Sequence, residues 1–157
     1  LTDQYLSTYI TTVDGNFQRQ LASALSYTKN EATLAHLLEE WKNKDVVKPQ
    51  DLAMSWYFTF LQHDFTQGTV WTWARDNWDW IKAALGGDMS FDKFVIYPAN
   101  IFKTRERLAE YKAFFEPQLS DLAISRNISM GIKEISARID LIDKEKAAVE
   151  AAIKATV

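Results

Sequence analysis

The chain contains no cysteine, which excludes disulfide staples, thiol catalysis and any cysteine-ligated zinc site. Histidine is nearly as scarce, with two among 157 residues. Proline (3) and glycine (5) are few, so little in the sequence interrupts a helix. No apolar run approaches the ~20 residues that a membrane-spanning helix needs. No charged segment followed by an apolar one opens the chain in the manner of a signal peptide. A positive excess is missing too: the net charge is −3 and the pI about 5.4, so the electrostatic footprint of a nucleic-acid binder is absent. The expected location is cytoplasmic, and neither membrane nor nucleic acid is an expected partner.

What is present is core material. Six Trp, nine Phe and six Tyr can each bury ~150–250 Å². The length is that of one ordinary domain, and a chain of this size buries roughly 68–70% of its unfolded surface. That is enough to fold without a metal. Residues 1–157 are therefore expected to form a single helical domain. The chain opens on Leu1 rather than Met and enters a helical pattern at once, as expected of a segment of a longer polypeptide.

Apolar spacing predicts about eight helices and no strand. Tyr5, Leu6, Tyr9, Ile10 and Val13 place the first over 2–13. The turn Asp14-Gly15-Asn16 follows, with Asn16 as expected cap of a second helix over 17–28. Phe17, Leu21, Ala24, Leu25 and Thr28 should share one side of it. Asn30 caps a third, and Pro49 suits the first turn of a fourth, where a missing N–H is tolerated. A fifth runs over 67–85 to Gly86-Gly87, a helix stop. Ser90 caps a sixth, to Phe102, and Thr104 a seventh, up to Pro117. The last is long: Ile124, Ile128, Ile132, Ile135, Ile139, Ile142, Val149 and Ile153 form one stripe, which Gly131 is expected to soften.

On the fifth helix Trp71 and Trp78 share one direction, and Trp73 and Trp80 another about half a turn away. Half the circumference is then apolar, which suits a helix wedged between neighbours on two sides. Short helices with broad apolar faces predict stacked antiparallel hairpins of the HEAT/armadillo α-solenoid kind, although no exact sequence repeat is visible. Aromatics at this spacing read as core rather than as a ligand-stacking platform.

The residues that carry chemistry do not converge. Zinc needs three or four ligands, and His36 and His63 lack close partners of that kind. No Gly-x-Ser-x-Gly elbow and no phosphate-cradling glycine loop occurs. Glu39-Glu40 and the acidic residues of 140–145 read as solvated helix surface. No catalytic, cofactor-binding or metal-ligating residue is assigned.

Three stretches carry a family resemblance. They are Val47-Lys48-Pro49-Gln50-Asp51-Leu52 with Trp71-Thr72-Trp73-Ala74-Arg75-Asp76-Asn77-Trp78; the run FDKFVIYPANIFKTRERLAEYKAFF from Phe91 to Phe115; and the tail ISMGIKEISARIDLIDKEKAAVEAAI. Together they resemble the C-terminal, ERAP-like helical domain of bacterial aminopeptidase N, in the gluzincin family of zinc aminopeptidases. The resemblance implies a parent that removes N-terminal residues from peptides. It holds zinc on HExxH plus a downstream Glu, and grips the free amino terminus with a Gly-x-Met-Glu-Asn strand. Zinc in such a site polarises the scissile carbonyl and activates a water. Both motifs belong upstream and neither occurs here, so the resemblance implies no cofactor in this chain.

The implied role is a curved, non-catalytic stack of helices that covers the active-site chamber and limits substrate access. The implied partners are the parent's catalytic domain, intramolecularly, and its peptide substrates. Self-association is open to a detached chain. Some family members offer substrate an Arg from the helix equivalent to the sixth. Anchored on Phe102-Lys103-Thr104, that position is Lys93, the one substrate-channel candidate; Lys is a point charge rather than a planar fork. The competing reading of the whole chain is a free-standing helical-repeat module that binds a partner segment on its concave face.

Overall fold

A computed structural model of the chain describes residues 1–156. Those residues form nine helices and no strand. The helices are α1 (Thr2–Thr11), α2 (Gly15–Ser26), α3 (Glu31–Glu40), α4 (49–61), α5 (Asp64–Asp76), α6 (Trp78–Leu85), α7 (Lys93–Ile101), α8 (Arg105–Phe115) and α9 (Ser125–Thr156). A 3-10 turn, Glu116–Gln118, follows α8. The all-helical reading with a long last helix is correct. The chain divides into two compact units, Leu1–Tyr97 and Pro98 onward. The division falls inside α7, at Pro98, which has no N–H to give the preceding turn.

Several local expectations change for physical reasons. Helix α1 stops at Thr11 because Thr12 turns extended (ψ 142°), and Val13, expected on its apolar face, is fully exposed. The cap of α2 is Asp14, not Asn16: its carboxylate accepts the Asn16 N–H at 2.8 Å and the Phe17 N–H at 3.2 Å. The buried side of α2 is Leu21, Ala22, Leu25 and Ser26, while Phe17 is exposed. Asn30 does cap α3, accepting the Thr33 N–H at 2.9 Å.

Helix α4 opens as an α turn over Pro49–Asp51, widens to a π segment over Leu52–Tyr57, and closes as α over Phe58–Leu61. The Phe58 N–H reaches back five residues to the Ala53 carbonyl.

The single helix expected over 67–85 is two. Asn77 leaves helical geometry (φ −107°, ψ 18°). Its side-chain amide and its own N–H both donate to the Trp73 carbonyl, at 2.8 and 3.0 Å. A short polar side chain thus competes with the helix ladder and ends it. The stop at Gly86-Gly87 is real but uses no left-handed residue, since no described glycine has positive φ. Ser90 does not begin α7, which starts at Lys93; Asp88 organises the turn by accepting the Ser90 N–H at 2.7 Å.

In the first unit, α1 packs on α2, α2 on α4, α3 on α5, and α4 on α5. Its core is a chain of rings. Trp56 meets Tyr9 edge-on at 5.0 Å and stacks on Phe60 at 5.8 Å. Trp41 contacts Phe60 at 5.3 Å and Trp73 at 5.0 Å, and Trp73 continues to Trp80 at 6.2 Å. A polar link within it, Trp56 Nε1–H to the Tyr9 hydroxyl at 3.0 Å, satisfies a buried indole.

In the second unit, α8 packs on α9. Phe102, Tyr111, Phe115, Ile124, Ile128, Ile135 and Ile139 are buried. Arg138 donates to the carbonyls of Ala99 and Phe102, at 2.8 and 2.6 Å, and so satisfies the open end of α7. Gly131 does not soften α9, which runs unbroken. It is where α9 comes close to the Tyr111 ring and the Ala99 methyl. The apolar stripe is only half used: from Asp140 to Ala155 every side chain is exposed, Ile142, Val149 and Ile153 among them.

Candidate functional site

Helix α7 begins at Lys93, so the ammonium of the sequence-derived candidate sits on the first residue of a helix. It lies 3.6 Å from the Asp92 carboxylate, and the Lys93 side chain is 37% exposed. A partly exposed pair of this kind stays accessible to a competing anion.

The two histidines are separate. His36 is exposed on α3, beside a shallow depression shared with Leu1, Thr2, Asp3, Ala32 and Thr33. His63 precedes α5 and is half-buried. Its ring lies against Tyr27 (4.4 Å between centroids) and stacks on Phe65 (5.2 Å, 8° between planes). Its Nε2 is 3.0 Å from Ser26 Oγ. Spacing could not signal this pair, since 37 residues separate its members.

The Ser26 hydroxyl also reaches the Ser23 carbonyl, at 2.7 Å. Ser26 is fully buried, out of reach of a substrate carbonyl, so the contact offers no accessible nucleophile. The contact joins the α2 terminus to the start of α5 within the first unit.

A cleft of about 300 Å³ lies at the end of α1, lined by residues including Tyr9, Thr12, Gln18, Asp45, Lys48 and Asp51. The Gln18 amide is occupied by the carbonyls of Tyr9 and Thr12, at 3.0 and 3.3 Å. The Tyr9 hydroxyl is held by Trp56. Burial pushes the Tyr9 phenol above its ordinary pKa; the Trp56 bond opposes this and the Asp51 charge adds to it. Two carboxylates, a lysine and two threonine hydroxyls complete the lining; Thr11 donates to the Ser7 carbonyl at 2.9 Å and Thr12 accepts the Asp14 N–H at 3.3 Å. The tryptophans offer no ligand platform: Trp41, Trp56, Trp71, Trp73 and Trp78 are buried. The void beside Trp41 and Trp80 is only about 10 Å³, at the lower limit for one water.

Among the described residues no group of three or more His, Asp or Glu side chains could hold a metal ion. The donor set therefore does not fit zinc, which takes at least three protein ligands. No helix among the described residues is long and apolar enough to cross a membrane.

The family model for the ERAP1-like C-terminal domain matches residues 2–137. Aminopeptidase N of Lactococcus lactis subsp. lactis is 62% identical over 154 residues, which is 98% of this chain and 18% of that protein. Aminopeptidase N of Lactobacillus helveticus is 40% identical over 153 residues, again 98% of this chain and 18% of the relative. Endoplasmic reticulum aminopeptidase 1 of Homo sapiens is 28% identical over 145 residues, 90% of this chain and 15% of that protein. The chain thus spans less than a fifth of the length of these relatives.

Proposed function

Because the chain belongs to the ERAP1-like C-terminal domain family of the aminopeptidases, we propose that residues 1–157 act as one helical, non-catalytic domain of a longer zinc aminopeptidase. The parent removes N-terminal residues from peptides in the cytoplasm. Its zinc ligands and general base lie upstream. This domain stacks its helices as a curved solenoid, covers the active-site chamber and admits short peptides while keeping folded proteins out.

The observation that carries this reading is the 62% identity across 98% of the chain to a protein five times its length. It is supported by the scatter of the chemical groups. The Ser26 hydroxyl beside His63 is fully buried, and among the described residues no group of three or more His, Asp or Glu side chains could hold a metal ion. No step of the reaction is assigned to these residues. Lys93 is the proposed point of contact with substrate, its ammonium free to exchange Asp92 for a peptide carboxylate.

The test uses the full-length parent and the 157-residue chain side by side. The parent should require zinc, cleave an aminoacyl anilide and short peptides, and spare folded proteins. The chain alone should neither turn over the anilide nor bind zinc stoichiometrically. Lys93→Ala in the parent should raise KM for peptides and leave the anilide KM unchanged. Zinc-dependent turnover by the pure chain refutes the division of labour, and equal cleavage of folded and short substrates by the parent refutes the covering role.

A further inference from the structure

Of the five glycines in the sequence, one follows an Asp or Asn: Asp14-Gly15. That dipeptide carries a chemistry of its own. The Gly15 amide nitrogen attacks Cγ of the Asp14 carboxyl group. The new N–Cγ bond closes a five-membered succinimide, and a carboxyl oxygen leaves as water. A second water then opens the ring. Opening at Cγ restores Asp. Opening at the former main-chain carbonyl leaves the chain running through Cβ and Cγ, which is isoaspartate. No oxidant or reductant takes part, and the net charge is unchanged. Glycine is the successor that favours closure, because it has no Cβ to crowd the attacking nitrogen.

The structure leaves this site open to water but restrains its geometry. Asp14 and Gly15 are both exposed, and a Cβ built at Gly15 would meet nothing within 4 Å. Gly15 is the first residue of α2, so its N–H has no partner within the helix. The restraint is the cap. Asp14 Oδ1 accepts the Asn16 N–H at 2.8 Å and the Phe17 N–H at 3.2 Å. Ring closure needs the Asp14 Cα–C bond turned until the Gly15 nitrogen eclipses Cβ, which for an L-residue is a negative ψ. Asp14 has ψ 105°. Because that nitrogen belongs to α2, the rotation breaks the cap and opens the first turn of the helix. Gln18, in the same turn, is a second tie: its amide donates to the carbonyls of Tyr9 and Thr12 at 3.0 and 3.3 Å and fastens the start of α2 to the end of α1.

We propose that Asp14 is a site of spontaneous isoaspartate formation, with a rate set by opening of the first turn of α2. The product cannot rebuild the cap. Its free carboxylate sits directly on Cα, one carbon shorter than the Asp side chain, and the main chain before Gly15 is one atom longer. The Asn16 and Phe17 N–H groups lose their acceptor, and Gln18 loses the register that brings it to α1. Conversion therefore fixes the open turn in place.

The experiment incubates the full-length protein, and a peptide of residues 11–18, at physiological temperature and pH. Isoaspartate is counted by methyl transfer from labelled S-adenosylmethionine with an isoaspartyl methyltransferase, and peptide mapping assigns it to residue 14. The peptide should convert about tenfold faster than the protein or more, since only the protein has to open first. Asn16 is exposed, so Asn16→Gly and Asn16→Ala change the helix propensity of the first turn and keep the capping N–H. In the protein the Gly variant should convert about fourfold faster than the Ala variant, while the two matching peptides convert alike. Gln18→Ala should speed conversion in the protein and leave the peptide unchanged. Gly15→Ala should slow it about fivefold or more in both. Equal rates in protein and peptide overturn the proposal, as do Asn16→Gly and Gln18→Ala proteins that convert no faster than wild type. A residue 14 that stays Asp in the wild type and in both of those variants, while the peptide converts, overturns it too.

Discussion

Gly131→Ala separates helix propensity from packing at one position. In an isolated helix the change stabilises by ~0.8–1.0 kcal/mol, since glycine is the poorer helix former. In α9 the added Cβ would overlap the Tyr111 hydroxyl oxygen and come 2.9 Å from Tyr111 Cζ and 2.8 Å from the Ala99 Cβ. Ordinary carbon contacts lie near 3.5–4.0 Å, so two neighbours on two other helices must retreat by about 1 Å. Neither is free to do so. Tyr111 is fully buried with its ring 4.8 Å from Phe115, and Ala99 sits in α7, whose end is pinned by Arg138. Overpacking of this kind costs ~1–3 kcal/mol, and two constrained neighbours argue for the upper end. The expected net is a loss of about 2 kcal/mol, or roughly 4–8 °C in Tm for a chain of this size. Urea denaturation followed by circular dichroism at 222 nm measures it. Indole fluorescence is a second probe but sees only the first unit, because all six Trp precede Pro98. Adding Tyr111→Phe removes the worst overlap and should recover part of the loss, with a coupling of at least ~0.5 kcal/mol. A gain of about 1 kcal/mol on Gly131→Ala would show that the close approach constrains nothing.

Three further outcomes are expected. Arg138→Ala strips donors from the carbonyls of Ala99 and Phe102 and should cost ~1–3 kcal/mol in the same denaturation assay, with Arg138→Lys intermediate. Ile135→Ala, at a buried position, should cost ~2–5 kcal/mol, whereas Val149→Ala, at an exposed one, should stay within ~0.5 kcal/mol in the 157-residue chain. Burial raises the phenols of Tyr9 and Tyr111 above the ordinary value of 10.0. Above that pH the unfolded chain has released protons the folded chain still holds, so stability is full below pH 10 and falls as pH rises further. Tyr111→Phe should make that alkaline decline shallower in a pH series of urea midpoints.

Sequence periodicity reports what a helix could bury, not what is available to bury it. The apolar stripe of α9 runs from Ile128 to Ile142, is interrupted at Lys146 and resumes at Val149 and Ile153, whereas burial already ends after Ile139. The exposure of Ile142, one step before the charge, is what the pattern alone does not mark. Caps were legible where a single side chain had one role, as at Asn30 and Thr104, which accepts the Arg107 N–H at 3.3 Å. They were misplaced where two polar residues competed, as with Asp14 and Asn16. The break at Asn77 was hidden because its flanking tryptophans keep helical spacing; only the local amide-to-carbonyl bonds reveal it. The Ser26–His63 contact and the Arg138 clamp join residues about 37 and 36–39 positions apart, and neither leaves a mark in local composition. The candidate Lys93 came from an ordered likeness to a family, and its pairing with Asp92 was invisible at that level.

The wide turn in α4 has a consequence for how the chain tolerates change. Leu52, Ala53, Trp56, Tyr57, Phe60 and Leu61 are all essentially inaccessible to water, and the extra residue lies in the π segment between the two α turns. Deleting one residue between 52 and 57 would convert the wide turn to ordinary winding and leave Phe60 and Leu61 in register with their neighbours. A deletion after Tyr57 has no extra residue to draw on and would turn Phe60 and Leu61 by about 100°. A change of length in this helix is therefore absorbed in one turn and ruinous in the next.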